Sequence, residues 1–172
     1  KVVGSKRTSL ITDPPDGKIP ALTDQGKKRA ADRQAYRERV ALGPEDRGVG
    51  ERCIMGFNAG PPMIPSAYNN NMQLVQTRDY VMIHNEMIHS ARVVDLRRPS
   101  HLASNVRLLT GDSIGHWEGD TLVVDTKNFN EKFWFTNGGL PHTGELHLIE
   151  RISRADFDTL KYEVTIDDPG AY

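Results

Sequence analysis

The chain is poor in the residues that identify a compartment or a class of partner. Its 172 residues include one cysteine, Cys53, so no disulfide can form within the chain and the redox compartment stays open. No apolar run is long enough to span a bilayer as a helix. The net charge is −1, and a nucleic-acid partner is not expected, because binding to phosphates normally requires a basic excess.

Motifs that identify a reaction are also missing. The sequence contains no Gly-rich phosphate loop, nucleophile elbow, paired-cysteine metal knuckle or dinucleotide fingerprint, and it indicates no cofactor. Ser113 lacks the flanking pattern of a nucleophile elbow, so we expect it to begin a strand. Function therefore has to be inferred from the side chains that the fold brings together.

Charge is spread unevenly along what length and composition predict to be one globular domain, residues 1–172. Hydrophobic residues make up 37% and charged residues 26% of the chain, which is not the composition of a disordered segment. Residues 1–54 hold twelve Lys or Arg against eight Asp or Glu, whereas residues 140–172 hold three against seven. Either both segments are solvated faces, or the basic segment docks on the acidic segment or on a partner.

Turn residues between runs of aromatic and β-branched residues predict a mainly β fold. In the clearest case Gly119 and Asp120 separate two such runs, and glycine supplies the positive φ that a tight hairpin turn needs. Two further turns are predicted at residues 78–79 and 157–158. About seven strands at regular spacing predict an antiparallel meander that forms a barrel or a curved sheet, lipocalin-like or a sandwich.

The N-terminal region, residues 1–72, is predicted to be an extended and helical appendage packed on the β-meander of residues 73–172. Thr23 can cap a helix over residues 24–40, and because its apolar stripe is thin we expect that helix to lie on the outside. Residues 56–72 contain three prolines and two glycines, which exclude regular structure through most of the segment. This segment is either a functional loop or a strap packed over one end of the barrel, and its apolar residues favour the strap.

Glu86, His89 and Arg92 form the candidate catalytic set. A carboxylate, an imidazole and a guanidinium could carry out acid–base chemistry on a carbonyl or hydroxyl substrate, with or without a metal on Glu86 and His89. They could equally form a buried ion-pair network that sets the strand register. We expect Glu86 to be partly buried, with Arg92 or a histidine as its partner, because it follows an apolar run. The chain has six histidines, and the sequence does not show which of them converge.

Two loop segments offer candidate contacts for a ligand or a partner. The first is otherwise rich in Asn, Gly and Thr but carries four large rings, Phe129, Phe133, Trp134 and Phe135. Because an exposed apolar cluster usually marks a contact surface, we expect at least two of these rings to meet a partner chain, a ligand or a lipid surface. The second contains Tyr68 and Asn70, whose polar groups suit ligand recognition, although such a loop can instead satisfy its own backbone through Asx turns.

Five phrases together resemble an uncharacterised family of exported bacterial proteins. They are TSLITDPPDG at residues 8–17, GPEDR at 43–47, YNNN at 68–71, NEMIH at 85–89 and WEGDTLVV at 117–124. The resemblance covers most of the chain and implies export to the periplasm or beyond, but it carries over no activity. Members of that family continue past the point where this chain ends, with a second cysteine in the tail. We therefore expect this chain to be clipped, which leaves a disulfide at Cys53 open.

Two classes of function follow from these observations. The first is an exported β-barrel that binds a small molecule or docks on a protein partner, for example as an extrinsic accessory subunit of a membrane complex. The alternative is a lyase, isomerase or hydrolase that uses Glu86, His89 and Arg92, assisted or not by a metal. Convergence of these three side chains in an open pocket would favour the enzyme, whereas their burial or separation would favour the binding module.

Overall fold

Seven strands form one sheet in the computed structural model, which describes residues 8–56, 58–135 and 139–172. Each strand is hydrogen-bonded to its neighbours in sequence order, and the sheet curls into a half-barrel, so the mainly β fold is confirmed. The strands are β1 (Met72–Gln76), β2 (Tyr80–Asn85), β3 (Ala91–Asp95), β4 (Asp112–Glu118), β5 (Thr121–Lys127), β6 (His147–Asp156) and β7 (Thr159–Asp167).

Tight turns join three antiparallel pairs at the predicted positions. The β1–β2 turn contains residues 78–79, and the β6–β7 turn contains residues 157–158. The β4–β5 turn is formed by Gly119 and Asp120, and Gly119 has a φ of 58°, in the left-handed region that favours glycine. All three turns are confirmed, because a turn depends on residues that are adjacent in sequence.

The prediction that the meander is antiparallel throughout is wrong at one place. β3 and β4 run parallel, with Asp95 paired to Ile114, so the sheet is mixed. A hairpin turn can only reverse the chain, whereas a longer connection can carry it back to the end where the previous strand began. Residues 96–111 make this return, and they lie against the outer face of the sheet through contacts described below.

Two groups of buried side chains form the hydrophobic core. The inner core lies on the concave face of the sheet and consists of Val81, Ile83, Val94, Leu122, Val124 and Ile152. The end core lies where β5 ends and β6 begins, and it consists of Met55, Phe129, Phe133, Phe135, Leu146 and Leu148. Since successive side chains of a strand point to opposite faces, alternation along β2, β5 and β6 accounts for the inner core.

Residues 55–56 and 58–63 form a strap that packs against the sheet, and residues 55–56 and 58–62 are all buried. The Asn85 side chain donates a hydrogen bond to the Ala59 carbonyl at 2.9 Å. The Met63 amide donates to the Tyr162 hydroxyl at 3.1 Å. The strap that the sequence favoured is therefore present in this part of the irregular segment.

The helix α1 (Asp24–Arg37) docks by its first turn on the end of the described chain. Thr23 Oγ accepts a hydrogen bond from the Gly26 amide at 3.0 Å and donates to the Gly170 carbonyl at 2.7 Å. A Cβ on Gly26 would lie 2.5 Å from the Ala171 carbonyl oxygen, so only glycine allows this approach. Gly26 is also the one buried residue of α1, which confirms a helix on the outside.

Helix α1 ends at Arg37 rather than at residue 40, because the chain then folds back around Asp46. The carboxylate of Asp46 accepts hydrogen bonds from the Tyr36 hydroxyl at 2.7 Å and from the Leu42 amide at 3.0 Å. These contacts replace a further helical turn. In the described ranges, no helix is both long enough and apolar enough to cross a membrane.

A buried ion pair joins Arg92 on β3 to Glu150 on β6 inside the half-barrel. Arg92 Nη2 donates to Glu150 Oε1 at 2.8 Å, and Nη1 donates to Oε2. The Tyr162 hydroxyl donates to the same carboxylate at 2.8 Å. Burial by itself lowers the pKa of Arg92, but the Glu150 carboxylate outweighs this effect and raises that pKa above its usual value. Arg92 is therefore held in its charged form.

Replacing Arg92 with methionine leaves the Glu150 carboxylate buried without its counter-ion. We expect Arg92→Met to lower the free energy of unfolding by about 3–5 kcal/mol, as measured by urea denaturation. The matched control is Arg151→Met. Arg151 neighbours Glu150 on β6 but forms an exposed ion pair, with Glu118 at 2.6 Å. The control should leave the urea midpoint nearly unchanged. Equal effects of the two substitutions would contradict this account of the buried pair.

Candidate functional site

The structure does not bring Glu86, His89 and Arg92 together. Glu86 is exposed, and its carboxylate accepts a hydrogen bond from the Asn71 side chain at 2.9 Å. His89 is also exposed, whereas Arg92 is buried against Glu150. The prediction that Glu86 is partly buried and paired with Arg92 or a histidine is therefore wrong.

The reason lies in the turn that follows β2. The strand ends at Asn85, and a 3-10 turn over Met87–His89 carries the chain into β3. Ile88 and His89 adopt left-handed backbone angles, with φ of 56° and 52°, so strand alternation does not extend to them. In the described part of the chain, no group of three or more His, Cys, Asp or Glu residues is arranged to hold a metal ion.

The four aromatic rings of residues 129–135, which we call the aromatic loop, are buried within this chain. Phe129, Phe133 and Phe135 belong to the end core, and Trp134 is 8% exposed. Their expected exposure on a contact surface is therefore wrong. Trp134 is covered by α1, since the Arg33 guanidinium lies 4.7 Å from the centre of its ring.

Asn70 of the Tyr68–Asn70 loop satisfies the loop itself, and the ligand contact expected of Tyr68 stays a prediction. Asn70 serves its own loop, because Oδ1 accepts from the Ser66 amide at 2.8 Å and Nδ2 donates to the Ser66 carbonyl at 2.7 Å. The buried Asn58 side chain also donates to the Asn69 carbonyl at 3.0 Å. Tyr68 is exposed. The amide of Asn70 is therefore occupied by the loop itself, as the Asx-turn alternative predicts.

A groove of about 700 Å³ lies between α1, the segment that follows it and the aromatic loop. We call it the basic groove, because six cationic side chains line it: Arg33, Arg37, Arg39, Arg47, Arg52 and Lys132. Apolar side chains also contribute to its lining, namely Val49, Met55, Phe133 and Trp134. Two of the aromatic residues that the sequence singled out are thus in the wall of a groove, although they are buried.

Two of the three acidic side chains in the groove are already neutralised. Asp46 lies 3.3 Å from Arg39, and Glu51 lies 3.7 Å from Arg47. The Tyr36 hydroxyl, together with backbone amides and Arg39, holds the pKa of Asp46 below its usual value. Glu45 is the third acid, so the charge that faces the groove is predominantly positive.

Four cations of the groove have no carboxylate partner within the described residues: Arg33, Arg37, Arg52 and Lys132. The Nε atom of Arg33 is buried and has no hydrogen-bond partner there. Burial, with repulsion from Arg37 as the next cause, lowers the pKa of Arg33. Sequence reasoning missed these residues. The basic excess of residues 1–54 was a signal for the three arginines but not for Lys132.

A second polar cluster lies on the outer face of the sheet. Asp125 Oδ1 lies 3.0 Å from His101 Nε2 and 2.9 Å from His147 Nε2, and His101 Nδ1 lies 3.1 Å from Asp112 Oδ2. Arg98 also pairs with Asp112, at 2.6 Å. These contacts tie residues 96–111 to the sheet. They also show which two of the six histidines converge, which the sequence left open.

Asp112 is the most buried member of this cluster. Burial by itself raises its pKa, but the Arg98 guanidinium, the Leu102 amide and His101 outweigh burial and hold the pKa below its usual value. The carboxylate is therefore ionised at neutral pH, and it anchors the connection between β3 and β4.

Comparisons of this chain with protein-family models, with curated proteins and with solved structures each found no match. The inference of function therefore rests on the geometry of the described side chains. The basic groove has a cavity large enough for a small-molecule ligand.

The depressed pKa of Asp112 predicts the pH dependence of stability. Because the folded pKa lies below the unfolded value of about 3.9, this stabilisation is complete above that pH and is lost as the pH falls through the folded pKa. We expect Asp112→Asn to lower the melting temperature at neutral pH, and the deficit relative to the unmodified chain to shrink towards about pH 2. Calorimetry over a pH series measures this, with Asp120→Asn in the exposed β4–β5 turn as control. A deficit that does not vary with pH would refute the assignment.

Proposed function

We propose that this chain is an exported binding module that takes a small-molecule ligand in the basic groove. The observation that carries the proposal is the size and lining of the groove, about 700 Å³ with apolar side chains beside unpaired cations. Small-molecule sites have volumes of roughly 300–1,000 Å³ and combine apolar walls with a few polar groups. The half-barrel, which we propose to be part of a lipocalin-like barrel, serves as the scaffold.

The residue types of the groove favour binding over catalysis. Among the described residues that line it there is no histidine, cysteine or serine, and two of its three carboxylates are paired with arginines. A general acid or base must be free to exchange a proton with the substrate. The enzyme alternative with Glu86, His89 and Arg92 has lost its geometric support, because these side chains lie apart.

The location and the larger assembly are proposed from the resemblance to exported bacterial proteins. We place the module in the periplasm or outside the cell, either free or as an accessory subunit docked on a membrane complex. Fractionation of the cells that naturally produce this protein, with an antibody to detect the chain, tests the location. Recovery in the cytoplasmic fraction alone would contradict export.

Ligand entry can be followed by the fluorescence of Trp134. The chain has two tryptophans, so Trp117→Phe leaves Trp134 as the only tryptophan, which can be excited selectively over the tyrosines. We expect small aromatic probes to perturb its emission, because Trp134 lies in the wall of the groove. The uncharged probe N-phenyl-1-naphthylamine and its sulfonated analogue 8-anilinonaphthalene-1-sulfonate are suitable.

Filling the groove should abolish this signal. Gly50 lines the groove, and a Cβ there would come no closer than 3.6 Å to the Met55 carbonyl oxygen, so a larger side chain fits the backbone. We expect Gly50→Leu to weaken probe binding by about tenfold or more, since a filled site removes most of the contact area. The control is Asp120→Leu in the exposed β4–β5 turn. Equal binding by Gly50→Leu and the unmodified groove would refute the proposal.

A further inference from the structure

We infer that the ligand of the basic groove is a small organic anion, with one or more carboxylate, sulfonate or phosphate groups on an apolar body. This inference rests on the proposed binding function and adds the chemical class of the ligand. It follows from three features of the groove: unpaired cations, acids that are already neutralised, and an apolar wall.

The unpaired cations are the first feature. Arg33, Arg37, Arg52 and Lys132 have no carboxylate partner in the described ranges, although all four line one groove. Like charges in one groove repel each other. An anion in the groove would relieve this repulsion. Arginine is suited to this role because its guanidinium binds carboxylates and phosphates through two parallel hydrogen bonds.

The neutralised acids are the second feature. Asp46 accepts hydrogen bonds from Tyr36, Arg39, Leu42 and the amide of Gly43. These hydrogen bonds satisfy the Asp46 carboxylate within the turn after α1, so this carboxylate repels an incoming anion only weakly. Arg39 is held by the same carboxylate and is thereby kept apart from the four unpaired cations.

The apolar wall is the third feature. Val40, which is exposed, and the half-buried Val49 contribute apolar surface to the groove, beside the largely buried Met55, Phe133 and Trp134. A bare inorganic ion could not use this apolar surface. The groove is also far larger than a single inorganic anion. The net charge of −1 and the acidic bias of residues 140–172 disfavour a nucleic acid, which would need a basic surface beyond the groove. The ligand is therefore an anion with an apolar part.

Two probes that share one ring system test this inference. 8-Anilinonaphthalene-1-sulfonate differs from N-phenyl-1-naphthylamine only by its sulfonate, so the ratio of their dissociation constants isolates the contribution of the negative charge. We expect the sulfonated probe to bind at least about tenfold more tightly to the Trp117→Phe chain, the factor that one charge-assisted hydrogen bond contributes. We also expect its affinity, but not that of the uncharged probe, to fall with added salt.

A double variant locates the charge effect in the groove. Arg52→Gln with Lys132→Gln removes two cations that form no internal ion pair in the described residues, so the fold should be retained. This variant should lose most of the preference for the sulfonated probe, because its affinity for that probe should fall much more than its affinity for the uncharged probe. Arg78→Gln, at an exposed position in the β1–β2 turn, is the matched control and should keep the preference. Circular dichroism confirms that each variant is folded.

The outcomes separate the two proposals. If both probes bind equally, and Gly50→Leu weakens both, the groove is a binding site but not for anions, and the inference is wrong. If the sulfonated probe still binds more tightly than the uncharged probe to the folded double variant, the cations of the groove do not recognise the negative charge. The inference is then again wrong. If neither probe binds, the proposed function itself fails.

Discussion

The Arg92–Glu150 ion pair joins β3 to β6, two strands that β4 and β5 separate in the sheet. Neighbouring strands lie about 4.8 Å apart, so in a flat sheet these two would be separated by about 14 Å. The side chains meet because the sheet curls around them. Burying a charge without a partner costs several kcal/mol, so the curl and the pair depend on each other. Tyr162 extends the network to β7, and its hydroxyl accepts from Met63, which holds the strap over the same interior.

The position of α1 follows from how the curled sheet is closed at one end. Phe133 of the end core and the neighbouring Trp134 lie beyond the end of β5, where the sheet itself does not cover them. Helix α1 covers Trp134, and it is held in place by Thr23 and by the close approach of Gly26 to Ala171. The chain after α1 folds back on Asp46 and then packs against the end core through Val49 and Met55, and the basic groove lies between this segment, α1 and residues 132–134. Helix α1, which covers the core, therefore also lines a groove that carries several cationic side chains.

The outer-face cluster and the basic groove differ in what their charged side chains can do. On the outer face, the carboxylates of Asp112 and Asp125 are saturated by His101, His147 and Arg98, so this cluster fastens a connection to the sheet. In the basic groove the balance is reversed, because cations outnumber their partners and apolar surface lies beside them. Saturated charges stabilise a fold, whereas unsaturated charges beside a cavity favour recognition of a ligand of opposite sign.

The sequence by itself determined the strands, their three tight turns and the cap of α1, because each depends on residues a few positions apart, such as Thr23 or Gly119. Within the candidate site it indicated Phe133 and Trp134 but misjudged their exposure. Only the tertiary structure decided that Arg92 pairs with a carboxylate 58 positions away and that α1 covers Trp134. Such pairings depend on how the sheet curls and how its end is closed. These are properties of the whole chain, and the periodicity of a local segment does not contain them.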